Sequence, residues 1–364
     1  MTNIREFMTD WFREDEHSGK PVDNHHMRAW SKRNKEGLSG GAKGPRYIPK
    51  FRPFDLLATP NQSLVFLSNA DQRIGVESVA GCQGHFTRNI DFDLLLFQYA
   101  GDTTVETEFG VYHLKPGDLM RIPEGIAHRS TGTVDSFRMF ARLHDPVVRM
   151  YQESDQISHH EYRMIRKGGP NWTLPAGAME MPKGKVIERM VTWRDTSPTD
   201  NTVIERDYDY LVSATSLKRD TPESGIRKFR TFDCFKEITG QRGPGPRLVE
   251  SPNFIVEAYN TTGEQFAFHR ALRSEEFGLQ FRGPSTNISE FEASLPVNPG
   301  DINVLPLGIS HSVICGEGFL RTVWYSRLPW DVAANIGKHA FDSTWEVQTT
   351  TIKQADWQMA GTKK

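Results

Sequence analysis

A chain of 364 residues exceeds the usual size of a single hydrophobic core, so two cores are expected. Charged residues at 25% and hydrophobic ones at 37% are ordinary for a globular protein, while 30 Gly, 21 Pro and 22 Phe favour turns and strands over a helical bundle. Lys and Arg number 44 against 46 Asp and Glu; this balance supplies no overall field for nucleic acid or an anionic membrane, and neither is expected as a partner.

The opening MTNIREFMTDWFREDEHSGK has charges where a signal peptide needs an uninterrupted apolar run, and no stretch approaches a membrane span. Three cysteines, Cys82, Cys234 and Cys315, are odd in number and far apart, so neither a disulfide framework nor a CxxC site is readable. A reducing, cytoplasmic setting is therefore expected. Between Met27 and Arg52, eight Lys/Arg face one acid, Glu36, around GLSGGAKGP, which predicts an arm that is solvated or wraps a neighbouring subunit. From Ser63, SLVFLSN, DLLLFQYAGD, VETEFGVYHLKPGD and FRMFARL predict strands separated by tight turns. A less regular middle follows, with PNWTLPAGAMEMPKGK as a loop and VIERMVTW and YDYLVSATSL as strands. NFIVEAYN, FGLQFRG, DINVLPLG and FLRTVWYS then restore the strand-and-turn texture, and LPWDVAANIGKHAF beyond it predicts a tail helix.

An internal repeat organises the chain. EFGVYHLKPGDLMRIPEGIAH, Glu108 to His128, returns as EFEASLPVNPGDINVLPLGISH, Glu290 to His311. Pro116, Gly117, Asp118, Pro123, Gly125, Ile126 and His128 recur as Pro299, Gly300, Asp301, Pro306, Gly308, Ile309 and His311 at a constant offset of 183. Chance identity at seven such positions is on the order of one in a hundred million. Pro-Gly-Asp makes a tight turn, a short strand follows, and a P-x-G turn ends it, so that the His emerges where alternation can point it into a barrel. Upstream, HFTRNIDFDLLLF (His85 to Phe97) aligns with HRALRSEEFGLQF (His269 to Phe281) at an offset of 184, each with a His six positions before an acid.

These residues resemble the cupin superfamily: G-D-x4-P-x4-H in both halves looks like the second cupin motif, and the His with its following acid like a reduced first motif. Within it, RNIDFDLLLFQYAGDTTVETEFGVYHLKPGD and HRALRSEEF are most similar to the homogentisate 1,2-dioxygenase-like group, which includes hydroquinone-type ring-cleaving enzymes. The resemblance implies an all-β fold of two jelly-roll (double-stranded β-helix) cupin barrels in tandem. It divides the chain into an arm at 1–52, a first barrel at 53–150, a connecting segment with strands at 151–245, a second barrel at 246–330 that carries a metal site, and a tail at 331–364.

Two imidazoles and one carboxylate on one face of a metal form the facial triad of non-haem Fe(II) oxygenases, and His269, Glu275 and His311 supply that set as catalytic and metal-binding residues. The resemblance implies a Glu six positions after the first His, with the context H-R-x-x-x-S-E matching His269, Arg270, Ser274 and Glu275. Glu276 is an extra acid; adjacent strand residues face opposite ways, so only one of the pair should reach the metal, and Glu275 is the expected one. The alternative is that the two histidines are polar residues of a barrel that has lost its metal. His85, Asp91 and His128 could form a second site in the first barrel, or Asp91 and Asp93 could bond Arg88 or turn amides. Cys82 reads as a small buried hydrophobe.

With one Fe(II) per chain, or another divalent ion in its place, the resemblance implies an extradiol-type dioxygenase that cleaves a homogentisate-, gentisate- or hydroquinone-like ring with O2. Arg270, Arg273 or Arg282 could hold a substrate carboxylate. The competing readings are a metal-dependent lyase, isomerase or hydrolase and a non-catalytic barrel that binds a small ligand. A homo-oligomer is expected from the arm and the barrel edges.

Overall fold

The computed structural model describes most of residues 50–150, 225–232, 247–261, 268–289, 295–307 and 309–333, together with the backbone of strands at 6–9, 21–22, 151–152, 155–159, 184–191 and 201–208. Apart from a single 3-10 turn, Pro53–Leu56, the regular elements among the described residues are strands. The chain forms two compact units, Phe54–Thr231 and the combination of Met1–Pro53 with Phe232–Lys364. The start of the predicted tail helix is not helical: residues 328–333 contain a short strand, Asp331–Val332, and its remainder lies outside the described residues, as do most of the 170–185 loop, Cys234 and the stretch after Tyr208. No described helix is long and apolar enough to cross a membrane.

In the first unit, one antiparallel sheet runs in the order Arg227–Arg230, Asp118–Ile122, Asp93–Ala100, Phe137–Leu143, Gln72–Ser78 and Ser63–Ser68. The other orders Val111–Leu114, Thr103–Thr107, Ala127–Gly132, Phe86–Asn89, Gly184–Val191 and Asn201–Tyr208, with a parallel step between Phe86–Asn89 and Gly184–Val191. Leu94, Leu96, Ile122, Ile126 and Phe140 belong to the apolar core of this unit. Removing such side chains from water is the main force that holds two sheets face to face.

The second unit repeats the plan. Arg247–Ser251, Phe254–Thr261, Phe319–Ser326, Glu275–Arg282, Ile302–Leu305 and Lys50–Phe51 lie side by side in one sheet. Pro21–Val22, Glu6–Thr9, Phe268–Ala271, Ser310–Cys315, Ser285–Ser289 and Leu295–Val297 form the other. The fold class is all-β, two jelly-roll barrels in tandem.

The repeated turns are built alike. Gly117 and Gly300 take φ of 91° and 86°, a left-handed conformation that glycine adopts without strain. Their amides donate to the carbonyls of Gln98 and Gln280 at 2.8 Å in both cases. Asp118 and Asp301 fold back to accept the backbone N–H three residues upstream, at 2.9 and 2.8 Å.

A second repeat, absent from the sequence reading, explains where the units part. Lys50-Phe51-Arg52-Pro53-Phe54-Asp55 returns as Lys228-Phe229-Arg230-Thr231-Phe232-Asp233. Each copy lies just before one barrel in the chain yet pairs with the other: Phe51 stands opposite Ile302, and Phe229 opposite Leu119. The basic residues reach the turn aspartates, Arg52 to Asp301 at 3.0 Å and Lys228 to Asp118 at 2.9 Å. Part of the segment expected to be a free arm thus supplies strands to the second unit, at 6–9 and 50–51.

Candidate metal centre

Three acid–base side chains meet inside the second barrel: His269, Glu276 and His311, with one potential ligand atom from each lying within 4.8 Å of the others. His269 and His311 sit directly opposite each other on antiparallel strands, their ring centroids 4.1 Å apart. Glu276 reaches them from the facing sheet, and its Oε1 lies 2.9 Å from His311 Nε2. Glu276 and His311 are buried and His269 is half-buried. The P-x-G turn fixes His311: Ile309 N–H closes the turn on the Pro306 carbonyl at 3.3 Å, and His311 follows on the inward face.

Glu275, the acid expected at the metal, is elsewhere. Its carboxylate accepts the Trp330 backbone N–H at 2.8 Å and also bonds the Leu307 amide. Asp93 does the same one repeat earlier, accepting from the amides of Glu124 and Val147, both at 3.0 Å. Glu275 is therefore the structural carboxylate of the barrel, and alternation along the strand turns Glu276 inward instead. Burial raises the Glu275 carboxyl to about 7, against the two amide bonds that pull it down.

The register also revises the proposed site in the first barrel. Gln98 and Gln280, which make matching bonds to the glycine carbonyls of 101 and 283, are 182 positions apart. That offset places Thr87 at His269 and Leu94 at Glu276, and Thr87 indeed stands opposite His128 as His269 stands opposite His311. His85 and Asp91 lie outside the described residues, and the 184-residue alignment that paired them with His269 and Glu275 is two residues out of register. His128 is the one imidazole at these three positions. Its Nδ1 lies 3.2 Å from the Ile126 carbonyl, and burial, with Arg138 and Arg88 adding to it, brings its pKa down to about 4.

The chemistry of the donor set fits a divalent cation. His311 Nδ1 lies 3.1 Å from the Ile309 carbonyl, so that nitrogen carries the proton and Nε2 presents a lone pair. With His311 neutral, that lone pair faces a carboxylate oxygen at 2.9 Å, a repulsion that either a proton or a divalent cation shared by the two groups relieves, and among the described residues Glu276 Oε2 lacks a hydrogen-bond partner. Burial pushes the Glu276 carboxyl up, but His311, His269 and Arg321 outweigh it and hold it below its ordinary value.

Arg321 lies beneath this cluster, fully buried, with Nη1 donating to Asn287 Oδ1 at 3.2 Å and Nη2 to Asn303 Oδ1 at 2.8 Å. Gly278 makes room for it: a Cβ there would collide with the guanidinium. Sequence reasoning missed Arg321, although a glycine two positions beyond Glu276 on an inward face was the available signal. Of the arginines expected to hold substrate, Arg282 is exposed, its guanidinium over the Phe281 ring, and the side chains of Arg270 and Arg273 lie outside the described residues. Cys82, expected to be buried, is exposed on a two-residue strand.

No family model matches this sequence, and no curated protein matches it. Among solved structures, the chain is similar to a mutant salicylate 1,2-dioxygenase from Pseudoaminobacter salicylatoxidans in complex with gentisate, at 12% identity and a TM-score of 0.47, over 86% of this chain and 97% of that one. It is also similar to a cupin 2 conserved barrel domain protein from Leptotrichia buccalis, at 10% identity and 0.45, over 78% and 98%. Bacillus subtilis oxalate decarboxylase, a protein with Mn(II) centres, matches at 10% and 0.42, over 79% and 80%. The likeness is one of backbone architecture.

Proposed function

We propose that the chain holds one divalent ion, Fe(II), through His269, Glu276 and His311, and cleaves the ring of a dihydroxylated aromatic with O2. The observation that carries this reading is the convergence of two imidazoles and one carboxylate within 4.8 Å inside a barrel. Such a set binds a divalent ion from one side and leaves coordination positions for a chelating substrate and O2. Bound there, iron supplies Lewis acidity toward a ring hydroxyl and the electron path between ring and O2.

The chain's own residues do the rest. The Ile309 carbonyl holds His311 in the tautomer that leaves Nε2 free to ligate. One carboxylate against a dipositive ion leaves a net positive centre, which favours a singly ionised diol. Tyr325, buried with Ile255 and Val323, gives the barrel interior an apolar wall suited to an aromatic ring. The test is oxygen consumption by anaerobically iron-loaded protein given gentisate, homogentisate or hydroquinone. Uptake that disappears in Glu276→Ala supports the reading; no uptake with any diol removes it, and turnover of a ligand without oxygen selects Lewis-acid chemistry instead.

A further inference from the structure

The second barrel buries a further carboxylate that metal binding does not use. Glu257 is fully buried in the middle of the Phe254–Thr261 strand. The Tyr259 hydroxyl donates to its Oε2 at 2.7 Å, and the Tyr259 and Tyr325 hydroxyls are 3.2 Å apart. Tyr325 also helps to hold the same carboxyl down. A phenol has one proton to give and an oxygen that also accepts. Tyr259's proton is committed to Glu257, so Tyr325 donates to Tyr259, and its own oxygen keeps acceptor capacity.

Tyr325 also stands beside the metal cluster. It faces Glu276 across one ladder and Ile255 across the other, and it packs with Ala271, two residues beyond His269. The hydrogen-bond chain therefore leads from the neighbourhood of the ligands to a buried acid.

We propose that Tyr325, Tyr259 and Glu257 form a proton relay that removes the hydroxyl proton of a metal-bound diol, an inference that rests on the function proposed above. The substrate O–H bond breaks and its electron pair stays on oxygen. Its proton passes to the Tyr325 oxygen as Tyr325's own moves to Tyr259 and Tyr259's to the Glu257 carboxylate. Both tyrosines end unchanged, one carboxylate becomes one carboxylic acid, and nothing is oxidised or reduced.

The surroundings of Glu257 suit an acceptor that works near neutrality. Burial raises its carboxyl to about 7; Tyr259, Arg247 and Tyr325 pull it down, and Glu276 pushes it up. Arg247 approaches Oε1 only to 3.8 Å and is bonded to Glu250, so Glu257 is not locked in a tight ion pair. Arg321, from the same strand as Tyr325, is the remaining charge nearby; Tyr259 and Tyr325 both act on it.

The experiment uses the full chain loaded with redox-inert Zn(II) and hydroquinone, a diol with no carboxyl group of its own, under argon. Infrared difference spectra report the C=O stretch of a protonated carboxylic acid. In the wild type, hydroquinone binding is expected to create that band. The band is expected to be lost in Glu257→Gln, and also in Tyr325→Phe, where Glu257 remains but the chain is cut. A band that persists in either variant, or a wild type that binds hydroquinone without one, overturns the relay alone. A Zn(II)-loaded wild type that binds no hydroquinone overturns the relay together with the function it rests on.

Discussion

The Glu275 carboxylate accepts the Trp330 backbone N–H at 2.8 Å, which ties the start of one barrel strand to the segment that leaves another. Replacing Glu275 with Ala leaves buried amides without an acceptor. Each such group costs about 1–3 kcal/mol, so the urea midpoint should fall while metal content stays unchanged. Asp93→Ala should cost more, about 3–5 kcal/mol, because Asp93 also pairs at 2.6 Å with Arg121, and both side chains are completely buried.

His128 sets a pH dependence for the first barrel. Its folded pKa of about 4 lies below the ordinary 6.5, so the unfolded chain binds the extra proton between those values. Its contribution is fully present above pH 6.5 and is lost as pH falls towards 4, by up to ~3 kcal/mol. Glu257 and Glu275, both raised to about 7, act in the opposite sense: the stability that each contributes as a neutral acid is lost as pH rises from 4.5 to 7. The test is therefore a difference. Urea unfolding of the wild type minus that of His128→Gln should show a gap that is widest near neutrality and shrinks at acid pH.

Gly278→Ala should disturb the metal centre without touching a ligand. Its Cβ would run into Arg321 Nη2, which forces the guanidinium off Asn287 and Asn303. Overpacking of this kind costs about 1–3 kcal/mol. Thermal unfolding measures that loss, and Zn(II) titration should register the displaced guanidinium as a change in affinity, since Arg321 acts on the Glu276 charge.

A bound ion should stabilise the chain through the second barrel alone. At a free concentration a hundredfold above Kd, the gain is about 2.7 kcal/mol, seen as a rise in Tm that chelator reverses. His311→Ala should abolish the rise. His128→Ala should retain it, because the first barrel has Thr87 and Leu94 where the second has His269 and Glu276.

The barrels, most of their strands and both motif histidines were legible because the Pro-Gly-Asp turn and the P-x-G turn leave letters in the sequence; FRMFARL, for instance, is the strand Phe137–Leu143 residue for residue. The choice between Glu275 and Glu276 was not legible from spacing alone. It depends on strand register, and a two-residue slip such as the one at His85 keeps every side chain on its original face, so the pattern gives no warning. The pairing of Gln98 with Gln280 held the correction, because both side chains clasp the carbonyl of a glycine three positions on. The exchanged Lys-Phe-Arg strands escaped notice for a different reason: each pairs with the barrel that lies farther from it in sequence.

The most direct test of the metal assignment is elemental analysis of three purified proteins: the wild type, Glu276→Gln and Glu275→Gln. One divalent ion per chain is predicted for the wild type and for Glu275→Gln, with loss of the ion in Glu276→Gln. Metal retained in Glu276→Gln, or lost in Glu275→Gln while the fold persists, would contradict the assignment of His269, Glu276 and His311 as the ligands.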